Sequence, residues 1–142
     1  MAKSYAEFLG VEVVEEIEKA MNTALVNFLF NTQSELSKAA PVDTGRLASG
    51  FVLGKDFPNR EVEPERETKG GVTVTRQYSK GEITMDSDWY ISNNVPYARK
   101  VAYDPIYGKG GRVGAAAWYT TIENNLQRKA NEAFTRQLRK IK

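Results

Sequence analysis

Between Tyr5 and Lys38 the apolar residues Phe8, Val14, Ile17, Met21, Leu25, Phe28 and Leu36 recur mostly three or four positions apart, with glutamate and asparagine between them and no proline. That is the spacing of one face of an α-helix. A long amphipathic helix is predicted here, roughly 50 Å if continuous at 1.5 Å per residue. Gly10 is the weak point at which it can divide, because glycine inside a helix costs about 1 kcal/mol relative to alanine. The acidic residues lie in its first half, toward the positive end of the helix dipole. Pro41 ends it, having no amide hydrogen to donate and a ring that disfavours helical geometry in the residue before it. A helix of this length can hardly be covered entirely by one short chain. From Ala115 onward, Trp118, Ile122, Leu126, Ala130, Phe134, Leu138 and Ile141 keep a near four-residue step. A second long amphipathic helix therefore closes the chain, with Arg128, Glu132, Arg136 and Arg139 on its opposite face.

The stretch between the helices has the other period. Val72 to Tyr78 and Glu82 to Asp86 alternate apolar and polar residues around Ser79-Lys80-Gly81, which predicts a β-hairpin. Trp89 to Ser92 is a third β-prone stretch, bounded by Asn93-Asn94. Leu47 to Leu53 is apolar enough to pack but too short to assign, and Pro96 to Tyr103 reads as a short helix or turn. Prolines, glycines and mixed charges predict mobile loops near 55–70 and 104–114. The expected fold is α+β in a single domain spanning 1–142: a long N-terminal helix, a central antiparallel β-sheet arranged as a meander, and a long C-terminal helix.

Composition narrows the chemistry. A chain of 142 residues, 41% hydrophobic and 27% charged, buries roughly 70% of its unfolded surface and needs neither disulfide nor metal to hold a core. With no cysteine and no histidine, thiolate nucleophiles, Cys/His zinc sites, Ser-His-Asp triads and imidazole acid/base catalysis are excluded. Binding or assembly is expected rather than catalysis. The lack of a disulfide framework suits intracellular assembly or indifference to redox state. No signal-peptide pattern follows Met1, so the mature chain is expected to start there, and no apolar run approaches a membrane span, so a soluble protein is expected. The net charge of +2 says little, but its distribution says more: residues 1–20 hold two basic and five acidic residues, residues 128–142 six basic and one acidic.

Three motifs invite chemistry and fail its spacing. Gly108-Lys109-Gly110-Gly111-Arg112 lacks the first glycine and the hydroxyl residue of a phosphate-binding loop. Asp86-Ser87-Asp88 lacks the downstream glycine and glutamate of a calcium loop, so these aspartates are expected to be turn residues. No metal, cofactor or catalytic residue is assigned. The third is the basic stripe of Arg128, Arg136, Arg139 and Lys140, which can be a solvated face, a contact for a partner's acidic surface, or a phosphate contact to DNA or RNA. Glu132 within it suggests i,i+4 pairing with Arg128 and Arg136.

Ala40-Pro41-Val42-Asp43-Thr44-Gly45-Arg46-Leu47, directly after a long amphipathic helix, resembles the signature of the tailed-phage tail-completion and head–tail joining proteins, the neck family related to the lambda Z protein. Asn93-Asn94-Val95-Pro96-Tyr97-Ala98 is similar to that family's Asn-x-x-Pro-Tyr-Ala segment, although Ala102-Tyr103-Asp104 stands where a glycine often follows. The order of helix, Pro-Val-Asp-Thr-Gly, sheet, Pro-Tyr-Ala, glycine-rich loop and terminal helix spans nearly the whole chain.

The resemblance implies a virion subunit assembled in the host cytoplasm as a ring of copies of itself, expected to be a hexamer, between the capsid connector or stopper and the tail terminator or tail tube. Genomic DNA would pass non-specifically through the lumen. It implies no catalysis and no membrane. A tail terminator, or a small basic nucleic-acid-binding module, is the alternative. Pro41, Asp43, Thr44, Gly45 and Arg46, with Asn94, Pro96 and Tyr97, are the expected structural corner or subunit interface. Proline stops the helix, Asp43 or Thr44 accepts nearby amide hydrogens, Gly45 permits a tight turn and Arg46 offers a planar donor. The two segments are expected to lie near one another, with Tyr97 filling a pocket. The oppositely charged helices would suit head-to-tail contacts between copies.

Overall fold

Helix α1 runs unbroken from Tyr5 to Ala39, in a computed structural model that describes residues 5–40, 46–61, 74–103 and 118–141. Gly10 does not divide it, since a single glycine's cost is small beside the helix-forming residues around it. The last bond, from the Ala40 amide to the Leu36 carbonyl at 3.0 Å, closes next to Pro41. Helix α2 (Arg46–Ser49) and strand β1 (Phe51–Lys55) follow, then strand β2 (Trp89–Asn93), helix α3 (Ala98–Tyr103) and helix α4 (Trp118–Leu138). The chain is α+β, as expected.

Strands β1 and β2 pair antiparallel, with Phe51 opposite Asn93 and Lys55 opposite Trp89, and are the two strands of the sheet among the described residues. The sheet lies elsewhere than the alternation predicts. Residues 74–78 form no strand, and Lys80–Glu82 is a turn of 3-10 helix. Side chains take the bonds a ladder would have made: Gln77 Oε1 accepts the Leu53 amide at 2.8 Å, and Gln33 Nε2 donates to the Thr75 carbonyl at 3.0 Å. The Glu82 carboxylate accepts both the amide and the hydroxyl of Ser79, at 3.0 and 2.9 Å, closing the 3-10 turn and holding its pKa below the usual carboxylate range. Strand β1 shows no alternation in sequence because its first four residues are buried, which erases the pattern that marks a half-buried strand.

Helix α4 returns antiparallel along α1. Trp118 and Ile122, at its start, share a core cluster with Leu36 and Ala40, at the end of α1. Lys129 pairs with Glu35 at 2.8 Å, and Gln137, Lys140 and Ile141 lie against Glu16, Lys19 and Thr23. A second cluster joins Val26 and Leu29 of α1 to Leu53 and Ile83. Both clusters sit on the C-terminal half of α1, whereas residues 13–19 are exposed throughout.

After β1 the chain folds back on itself. Asp56 takes a left-handed conformation at φ 63°, and its amide donates to the Asp88 carbonyl at 2.7 Å while its Oδ1 accepts the Asp88 amide at 3.2 Å. Asn59 Nδ2 reaches the Leu53 carbonyl at 3.1 Å. This return is tight enough that a Cβ on Gly54 would overlap the backbone at Phe57 and stand 2.6 Å from the Asn59 nitrogen. Gly54→Ala is therefore expected to destabilise the fold by about 1–3 kcal/mol, seen as a lowered thermal midpoint. An unchanged midpoint would contradict this packing.

Candidate functional site

Two adjacent asparagines tie the end of the sheet to both of its neighbours. Asn93 Nδ2 donates to the Leu47 carbonyl at 2.8 Å, and its Oδ1 accepts the Val95 amide at 3.2 Å. Asn94 Nδ2 donates to the carbonyls of Asn59 and Glu61, the latter at 3.1 Å. Leu47, Val95 and Ala98 pack in one cluster. Leu47 at the end of the first motif thus meets the second motif directly. Pro41, Asp43, Thr44 and Gly45 lie outside the described residues, as do 62–70 and 104–114 of the expected loops, and Arg46 opens α2.

Pro96 and Tyr97 form the turn into α3, whose first bonds run from the Ala98 amide to Val95 at 2.9 Å and from the Val101 amide to Tyr97 at 3.1 Å. Proline fits there because an amide at a helix start has no intrahelical partner to lose. Tyr97 does not fill a pocket. It is 39% exposed, because α3 turns Val101, Ala98 and Ala102 to the core and leaves Tyr97, Arg99 and Lys100 outside.

The basic stripe is an outward face. Arg128, Glu132, Arg136 and Arg139 are exposed on the side of α4 turned away from α1, and with Gln127, Asn131 and Thr135 they line a shallow groove. Arg128 pairs with Glu132 at 2.7 Å, a solvent-exposed pair of small energetic weight. The expected second pair, from Glu132 to Arg136, is not formed; among the described residues Arg136 and Arg139 have no acidic partner. Lys140 lies apart from them, at the seam with α1 beside Glu16 and Lys19. Glu16 and Lys140, from the two oppositely charged ends, thus line one hollow within the molecule, a proximity the charge count alone does not reveal.

An apolar cavity of about 340 Å³ opens between α1, the sheet, α3 and α4, walled by Phe28, Phe51, Trp89, Trp118 and Leu126 among others. Aromatic rings stack edge to face around it: Phe51 with Trp118 at 6.4 Å and Tyr103 with Tyr119 at 5.3 Å. At its rim the Tyr103 hydroxyl donates to Glu123 Oε2 at 3.3 Å. Burial, then the hydrogen bond with Tyr103 and the nearby Glu123 charge, push the Tyr119 phenol well above its ordinary range. Among the described residues no cluster of three or more acidic side chains could hold a metal ion, and Asp86 sits in the turn that leads into β2.

One polar centre carries no sequence signal. Gln33, fully buried on α1, donates to the Phe51 carbonyl at 2.7 Å as well as to Thr75, and its Oε1 accepts Arg76 Nη1 at 2.6 Å. The same guanidinium reaches the Phe30 carbonyl and Ser34 Oγ, at 3.2 and 2.8 Å, and lies 4.3 Å over the Phe30 ring; desolvation lowers its pKa. A glutamine on the inner face of an amphipathic helix is the available clue, and only the fold reveals what it binds.

Gln33→Leu is expected to cost about 1–3 kcal/mol for each buried group it leaves unpaired, measured as a lower urea midpoint; an unchanged midpoint would contradict the weight given to these bonds. For Tyr119 the folded pKa lies above the unfolded one, so its contribution is complete below about pH 10 and is lost as pH rises beyond, where the unfolded phenol ionises first. Tyr119→Phe should therefore lose less thermal stability than wild type between about pH 9 and pH 11. Equal losses in the two proteins would contradict the raised pKa.

No protein-family model, curated protein or solved structure matches this chain.

Proposed function

We propose that this chain is a structural subunit of a tailed-phage neck, one copy in a ring that joins the capsid connector to the tail and lets DNA pass through its lumen. The observation that carries the reading is the ordered pair of motifs: Pro-Val-Asp-Thr-Gly-Arg-Leu after a long helix, and Asn-Asn-Val-Pro-Tyr-Ala at the end of a strand. The Asn93 contact with Leu47 supports it, because it gives the two motifs a shared structural purpose at one corner. Assembly is the chemistry of this reading. An α1 helix exposed from Val13 to Lys19 and an arginine face turned outward are surfaces suited to neighbouring subunits. The head-side connector and a tail terminator or tube protein are the proposed outside partners, and DNA would contact the ring without sequence preference.

The exposed Arg136 and Arg139 also favour a second reading, a small module that binds nucleic-acid phosphates through α4. Its affinity would fall steeply with salt as counterions are released. Light scattering of the purified protein, with and without the neighbouring connector, separates the two. The neck reading predicts a mass several times 15.9 kDa, either alone or once the connector is added. A persistent monomer that ignores the connector and retards DNA at low salt would overturn it in favour of the module.

A further inference from the structure

The apolar stripe of α1 outruns the helix that covers it. Val13, Val14 and Ile17 are 48%, 55% and 36% exposed, while Ala24 and Leu29 farther along the same helix are buried. At about 100° per residue the three lie within one sector of the helix, with Glu16 and Glu18 about 100° to either side. Chain geometry explains the exposure: α4 runs back along α1 and its last residues, Lys140 and Ile141, reach only Glu16 to Thr23. Val13 and Val14 thus stand beyond the reach of α4, and Ile17, level with its end, stays exposed between Glu16 and Glu18.

We infer that this overhang docks on the outward arginine face of α4 in a second copy of the chain, beside Arg136 and Arg139. Charge complementarity selects that occupant. Pairing two overhangs would set Glu16 and Glu18 of one copy against the same acids of the other, a like-charge contact. The outer face of α4 offers two arginines with no acidic partner among the described residues, and the aliphatic stems of arginine cover apolar surface while their heads meet carboxylates. A helix laid along the row from Arg128 to Arg139 is a helix-on-helix contact. The two surfaces are different patches of one molecule, so the contact is head to tail and closes a ring if the rotation between copies allows. This deepens the ring-subunit reading and rests on it for the requirement that copies meet.

Charge reversal tests it. Glu16→Arg with Glu18→Arg, or Arg136→Glu with Arg139→Glu, should each lower the mass in light scattering from a multiple of 15.9 kDa to a single subunit at ordinary salt, with the helical circular dichroism unchanged. The quadruple variant, in which both surfaces are reversed, should assemble again. Ile17→Asp should weaken assembly without altering α4. If wild type assembles and neither reversal changes its mass, the interface is overturned while the ring reading stands. If wild type remains a single subunit at every concentration, with or without the connector, both fall.

Discussion

A 35-residue helix in a chain of 142 residues sets the constraint from which the rest follows. At 1.5 Å per residue α1 is about 52 Å long, longer than the 21-residue α4 that lies along it. The chain must therefore choose which part of α1 to cover. It covers the C-terminal half, where the sheet, α3 and the start of α4 converge on Leu36, Leu47, Phe51 and Trp118. Residues 13–19, before it, are left exposed.

Within the covered half, side chains hold together what a larger sheet would otherwise hold. With two strands among the described residues, many backbone groups near β1 lack a ladder partner, and an unpaired buried carbonyl or amide is expensive. Gln33 and Gln77 take the Phe51 and Thr75 carbonyls and the Leu53 amide. Asn93, opposite Phe51, and Asn94 do the same at the end of β2. The corner where Asn93 meets Leu47 is thus part of a wider pattern of amide side chains taking bonds that further strands would make, which gives the asparagines a role in the fold whether or not a neighbour touches them.

Both long helices and the short α3 were legible because helical periodicity survives burial of one face: Ile122, Leu126 and Trp118 keep their spacing and their partners on α1. The strands were less so. Residues 72–78 and 82–86 alternate, yet their described part is irregular, because alternation marks any segment with one buried face. Phe51 to Lys55 is a strand whose first four residues are all buried, so it carries no alternation. Of the basic stripe, Arg128, Arg136 and Arg139 lie on the outer side of α4, whereas Lys140 lies beside Glu16, a proximity that depends on the helices running antiparallel over matched lengths. Tyr97, expected in a pocket, is exposed because it precedes α3, whose core-facing residues are Ala98, Val101 and Ala102.

The claim that joins fold to assembly is that α1 is stable over its covered half and completed by a neighbour over the rest. Amide hydrogen exchange along α1, followed from dilute to concentrated protein, addresses it residue by residue. In dilute solution residues 13–19 should exchange far faster than residues 26–37, and they should gain protection as the protein assembles while the second group changes little. Strong protection of residues 13–19 in the dilute monomer, or none gained on assembly, would contradict the account.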